Sequence, residues 1–237
     1  MPDARPDKIE IKLFSSLATM AAIQHLTAEI EDSAKVSLAT DFGPTVGLLE
    51  RIRGGEKADL VILTTQAIDE LIGQNILSPE GRADIASSLV GLAVRAGTPK
   101  PDIGSVDGLK RTLLGARSVA YSKIGASGIF FAGLLQRLGI AEEMESRSIV
   151  VPVGLTGTLA ASGEAELAIQ QISELMAAGA GIDIVGPLPP GAQSPTQFSI
   201  GVFSGSSHRA AVQDVLNFLV SPRAAAAYRA TGLQPAA

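Results

Sequence analysis

Short apolar runs alternate with helix-periodic segments along almost the whole chain, and this rhythm constrains the fold more than any single motif. Strands are read at 9–14, 35–39, 60–63, 89–94, 118–121, 167–170, 183–185 and 198–203. Helices are read at 16–31, 45–54, 65–74, 106–114, 127–138, 156–161, 172–178, 207–219 and 222–231. Strand, helix and strand in succession build parallel sheets with crossover helices, so an α/β fold is expected. The 237 residues are 46% hydrophobic and 18% charged, which supplies packed cores and excludes a disordered chain.

Two stretches interrupt the rhythm. RAGTPKPDIGS, from Arg95 to Ser105, follows an apolar strand, and GPLPPGAQSPT, from Gly186 to Thr196, precedes one. Segments this rich in Pro and Gly suit crossings between domains. Two crossings predict one lobe from residues 1–95 and 190–237 and a second from 96–189. The alternative is a single domain with two surface loops.

The stretch GASGIFFAGLLQRLGI, from Gly125 to Ile140, places a hydroxyl between glycines at the start of an apolar-periodic helix. The first N–H groups of a helix have no internal partner and lie at the positive end of its dipole, so an anion can approach them. Ser15 and Ser16 repeat the arrangement after the first strand. Two such junctions far apart in sequence suggest two lobes facing one ligand.

Other chemistries are poorly supplied. With no cysteine and only His25 and His208, disulfides, thiolate catalysis and most zinc or haem sites drop out. A net charge of −5 without a basic run argues against nucleic acid. No apolar run approaches the ~20 residues of a membrane span. The start, MPDARPDKIEIK, lacks the apolar stretch of a signal peptide. This fits either a cytoplasmic start or a mature exported chain.

Candidate contacts divide between ligand and structural roles. Ser15 and Ser16 serve equally as a helix cap or as ligand donors. Ser127 points more strongly to a ligand, because a plain cap needs no flanking Gly125 and Gly128. Thr65, following Thr64 after the third strand, is a weaker candidate that a cap also explains. Gln170 and Gln171 end an apolar strand, where each amide needs a buried partner or a cleft to face. Arg95 at the first crossing offers a fork of donors to a carboxylate, or an interlobe ion pair. Glu174 reads as a cap or pair within its own helix.

In order along the chain, FSSL (Phe14–Leu17), GPTVGLLERIRGGEKADLVI (Gly43–Ile62), LLGARSVAYSKIGASGIFF (Leu113–Phe131), ASGEAELAIQQISEL (Ala161–Leu175) and VGPLPPGAQSPTQFSIGV (Val185–Val202) carry a family resemblance. The sequence resembles the type II periplasmic solute-binding proteins, in particular their molybdate-binding-like branch. The resemblance implies a two-lobed α/β fold of that type with the ligand cleft between lobes that close on binding. It implies ligand contacts at Ser16, Thr45, Ser127, Gly128, Val153 and Gly154. Where the branch has a tyrosine this chain has Gln171, and its serine-rich loop is reduced to Gly43-Pro44-Thr45.

These readings favour a binding protein that captures a small anion, an organic carboxylate rather than a molybdate-like oxyanion, for an ABC-type importer. The expected partners are that anion and a membrane permease, with no nucleic acid, no cofactor and a monomeric chain, located in the periplasm. Two rivals stay open: an isomerase of a small unsaturated carboxylic acid on the same scaffold, and a cytoplasmic small-molecule sensor.

Overall fold

In the computed structural model, which describes residues 8–236, the chain opens with β1 (Ile9–Ser16), a 3-10 turn (Leu17–Thr19), α1 (Met20–Ala34), β2 (Val36–Gly43), α2 (Thr45–Arg53), β3 (Leu60–Thr64) and α3 (Thr65–Gly73). It continues through β4 (Leu77–Ser88), β5 (Val90–Arg95), α4 (Val106–Gly115), β6 (Val119–Ser122), α5 (Ala126–Arg137), α6 (Ala141–Glu145), β7 (Ser148–Val151), α7 (Thr156–Ser162), β8 (Leu167–Gln171) and α8 (Ile172–Ala177). It ends with β9 (Ile182–Pro187), β10 (Thr196–Phe203), α9 (Arg209–Leu219), α10 (Pro222–Ala230) and β11 (Gln234–Pro235).

The strands form two sheets, one ordered β11-β4-β10-β3-β1-β2 and the other β7-β6-β8-β5-β9. Parallel pairs β1–β2 and β1–β3 form the heart of the first, and β6–β7 and β6–β8 that of the second. Helices cover both faces, as continuous apolar strands require. In β3, Leu60 and Ile62 enter one core while Val61 and Leu63 enter the other. In β8, Leu167 and Ile169 join the larger core of the second sheet, and Ala168 packs with Ala93, Ala160 and Leu175 beneath it. The molecule is a two-lobed α/β protein.

The chain changes sheets earlier than its Pro/Gly punctuation suggests. β4 pairs with β10 in the first sheet, whereas β5 pairs with β8 and β9 in the second, so the passage falls at Leu89. The apolar run after Leu89 finds its partners in the second lobe, and RAGTPKPDIGS is a loop of that lobe leading toward α4. The return runs between Pro187 and Thr196, through the second Pro-rich stretch. Residues 1–7 and 237, assigned from sequence to the first lobe, lie outside the described residues.

Three strands had weak signals. β4 contains Pro79, Gly81 and Asp84, residues that weaken or end a strand. It forms because Gly81 lets Val202 of the irregular β10 come close: a Cβ there would lie 2.5 Å from that of Val202. β7 is a half-exposed edge, and β11 has only two residues.

Candidate ligand-binding site

Parallel strands deliver the helices that follow them to one edge of the sheet, where open α/β sheets bind ligands. The 3-10 turn, α2 and α3 start at the carboxyl ends of β1, β2 and β3, and α5 and α8 start beyond β6 and β8. These edges meet. The Val46 N–H at the start of α2 donates to the Ile124 carbonyl before α5, at 3.3 Å. Gln171 Nε2 donates to Thr196 Oγ1 at 2.8 Å, linking the end of β8 to the start of β10. A cavity of about 510 Å³ is lined from both lobes, by Thr45, Thr64, Thr65, Ala126, Phe130 and Thr196 among others. A larger one, about 670 Å³, lies at the amino ends of β1 and β3, away from these helix starts. Its Lys12 and Glu56 are already paired with one another.

Each candidate can be sorted by whether its donor is free. The Ser15 and Thr19 hydroxyls share a 2.7 Å hydrogen bond that either can donate, and both also reach the Ser16 carbonyl, at 3.4 and 3.1 Å. Ser16 Oγ accepts from the Ala18 N–H at 3.3 Å and keeps its own proton. Thr64, not Thr65, caps α3. Ser199 donates to Asp84, so the Thr65 hydroxyl at 2.7 Å donates to Ser199 and is spent. Thr45 differs: its Oγ1 is buried and has no partner.

In the second lobe, Ser127 is buried in the first turn of α5. Gly128 serves packing rather than ligand approach. A Cβ there would lie 1.7 Å from the Ser122 carbonyl oxygen, and its N–H already donates to the Gly125 carbonyl. Gln170 is also fully engaged: its Oε1 accepts from the Thr156 N–H at 2.7 Å and its Nε2 donates to the Gly154 carbonyl at 3.1 Å. This fixes the turn before α7, where Gly154 has a φ of +116° and the Val153 side chain is 63% exposed. Gln171 Oε1 is buried and turned toward the Glu174 N–H, closing the reciprocal capping box at the start of α8 although without a well-formed hydrogen bond.

Arg95 is not at a hinge and not at this site. β5 runs away from Leu89, with Val90 opposite Gln171 and Val94 opposite Leu167, so Arg95 lies at the far end of the strand, about 17 Å from Val90 at ~3.3 Å per residue. It is exposed there beside Ile182 and Gly163. Among the described residues the buried polar side chains include no Lys, Arg or His, so the candidate site relies on uncharged donors and helix starts.

The buried acid of this region is Glu174. Its carboxylate accepts the Gln171 N–H at 3.2 Å, which realises the capping role expected within its helix. Burial pushes its pKa up to about 7, against the downward pull of that N–H and of the Gln170 and Ser127 side chains. Glu174 is not among the ligand contacts expected from the sequence. The available signal is its spacing, since an acid three residues beyond a buried strand end turns back onto the strand.

Residues 11–234 match the family described as bacterial extracellular solute-binding protein. The chain belongs to that family. Among solved structures, the periplasmic molybdate-binding protein of Azotobacter vinelandii superposes with a TM-score of 0.78 at 18% identity, covering 94% of this chain and 98% of the other. A sulfate-binding protein of Mycobacterium tuberculosis gives 0.74 at 20% identity over 96% and 87%. These likenesses show that the chain shares the two-lobed fold of the periplasmic binding proteins. A relative from Pseudomonas sp., an aconitate isomerase, is 35% identical over 231 residues, covering 95% of this chain and 87% of its own length. Among the described residues no helix is long and apolar enough to cross a membrane.

Proposed function

We propose that this chain binds a small unsaturated polycarboxylate of the aconitate class between its lobes and isomerises it. The observation that carries the reading is a buried site of uncharged donors in which the Thr45 hydroxyl lacks a partner inside the protein, and the carboxylate class is supported by the 35% identical relative. Unpaired buried polar atoms cost free energy until a ligand pairs with them. Helix starts and hydroxyls converging from two lobes suit several carboxylates on one compact frame.

The reaction follows from the full-length similarity to the aconitate isomerase, at 35% identity, against 20% or less for the two oxyanion-binding structures. Aconitate carries three carboxyl groups on a propene frame whose double bond is flanked by a methylene. Moving a proton from that methylene to the far alkene carbon relocates the double bond and interchanges the isomers. The shift needs neither redox partner nor metal, only an acid–base group in a closed site.

A second reading, favoured by family membership, is the receptor of an ABC-type importer, in which the lobes close on the same anion and present it to a permease. Under either reading the family favours a periplasmic location. Calorimetry tests the ligand class. Binding of cis- and trans-aconitate and of the saturated analogue tricarballylate, with no heat from molybdate or sulfate, is expected. Submicromolar molybdate binding with none from the carboxylates would overturn the reading.

A further inference from the structure

We infer that Ile124 is a latch that holds the two lobes closed in the absence of ligand, by seating on a glycine notch at the start of α2. The inference concerns the lobes alone and does not depend on which anion they take. The chain passes between lobes only at Leu89 and between Pro187 and Thr196, so contacts away from these passages decide how far the lobes part. The bond from Gln171 to Thr196 lies beside the return passage itself. The contact of Ile124 with α2 lies elsewhere, next to the cavity that Val46 and Ala126 line from opposite lobes.

The second lobe presents Ile124 on a braced turn. The Lys123 N–H donates to the Val151 carbonyl at 2.7 Å, fastening the turn to β7, and the Gly125 N–H donates to Ser122 Oγ at 2.9 Å, closing it. Ile124 therefore moves with its sheet. On the first lobe, Gly47 is the third residue of α2, a place where glycine is a weaker helix former than alanine. A Cβ there would stand 3.6 Å from Pro44 Cγ and 3.7 Å from Ile124 Cδ1. These are ordinary contact distances, so the glycine leaves a notch with room for one methyl group and nothing longer on the side of Ile124.

The polar half of the contact adjoins the notch. The Val46 N–H donates to the Ile124 carbonyl at 3.3 Å. It is one of the first N–H groups of α2, which have no acceptor inside their own helix and turn to water unless another group meets them. Here the opposite lobe meets it. Both halves come from the one residue, Ile124, so they form and break together, and neither uses a ligand atom. A chain joined in this way rests closed when empty, and ligand entry waits for Ile124 to leave α2.

Amide hydrogen exchange of the ligand-free protein, paired with small-angle X-ray scattering, tests the latch. Wild type is expected to protect the Val46 amide and to have a radius of gyration of ~18 Å, as for a compact chain of this length. Gly47→Val, which overfills the notch, and Ile124→Ala, which empties it, are expected to speed Val46 exchange about 10-fold or more and to enlarge the radius of gyration. Gly47→Ala adds only the methyl that fits and should match wild type in both readouts. Valine and alanine are no worse than glycine as helix formers, so α2 is kept, and circular dichroism checks the fold. A Val46 amide that exchanges freely in wild type overturns the latch, as do Gly47→Val and Ile124→Ala proteins with wild-type exchange. Faster exchange with unchanged scattering also overturns it, because the contact would then break without the lobes parting. So does a Gly47→Ala protein that opens as far as Gly47→Val, since the effect would then lie in the helix and not in the notch.

Discussion

Burying Glu174 should leave a signature in stability that is separate from any activity. Its pKa lies at about 7 in the folded protein against 4.5 for a free glutamate, a difference worth about 3 kcal/mol at 1.36 kcal/mol per unit. Because the folded pKa is the higher one, the folded state holds the proton more tightly than the unfolded chain does. This contribution is fully present below pH ~4.5, is lost as pH rises toward 7, and changes no further above it. Glu174→Gln keeps an acceptor for the Gln171 N–H and removes the ionisation. Thermal unfolding of both proteins from pH 4.5 to 8.5 should therefore show a gap in favour of the variant that grows with pH. For a chain of this size, about 3 kcal/mol corresponds to a shift of about 6–12 °C. Curves that stay parallel across the range, or a wild type that gains on the variant as pH rises, would refute the reasoning.

Thr45→Val replaces a buried hydroxyl without a partner by a group of the same shape. It should stabilise the ligand-free protein by about 1–3 kcal/mol in denaturant unfolding while weakening carboxylate binding in calorimetry. Gly128→Ala forces a Cβ against the Ser122 carbonyl, a backbone atom that cannot move aside alone. Loss of at least ~1–3 kcal/mol is expected in the same unfolding assay. Arg95→Ala, at an exposed strand end remote from the helix starts, should change stability by no more than about 0.5 kcal/mol and leave ligand affinity as it was.

Much of the fold was legible because apolar strands and periodic helices report their own burial. β3 is apolar as far as Leu63 and β8 as far as Ile169, and both strands are covered on each face. The passage between sheets was not legible in the same way. Leu89 has no turn chemistry, whereas RAGTPKPDIGS has a great deal, and only pairing with β8 and β9 shows which side of the passage β5 occupies. Gly128 and Gln170 were recognised as unusual, but their partners lie in the Ser122 carbonyl and the turn before α7, contacts that tertiary packing creates. Glu174 stayed hidden for the opposite reason. A glutamate in a first helical turn is ordinary, and its burial depends on how the start of α8 packs between β8 and the neighbouring lobe.

The central claim concerns turnover, and proton NMR of the purified chain with cis-aconitate tests it most directly. The account predicts that trans-aconitate appears with time and in proportion to protein, until both isomers reach a constant ratio that is the same when the reaction starts from the trans isomer. Saturable binding of cis-aconitate with its spectrum unchanged over many hours would contradict the account and leave a receptor in its place.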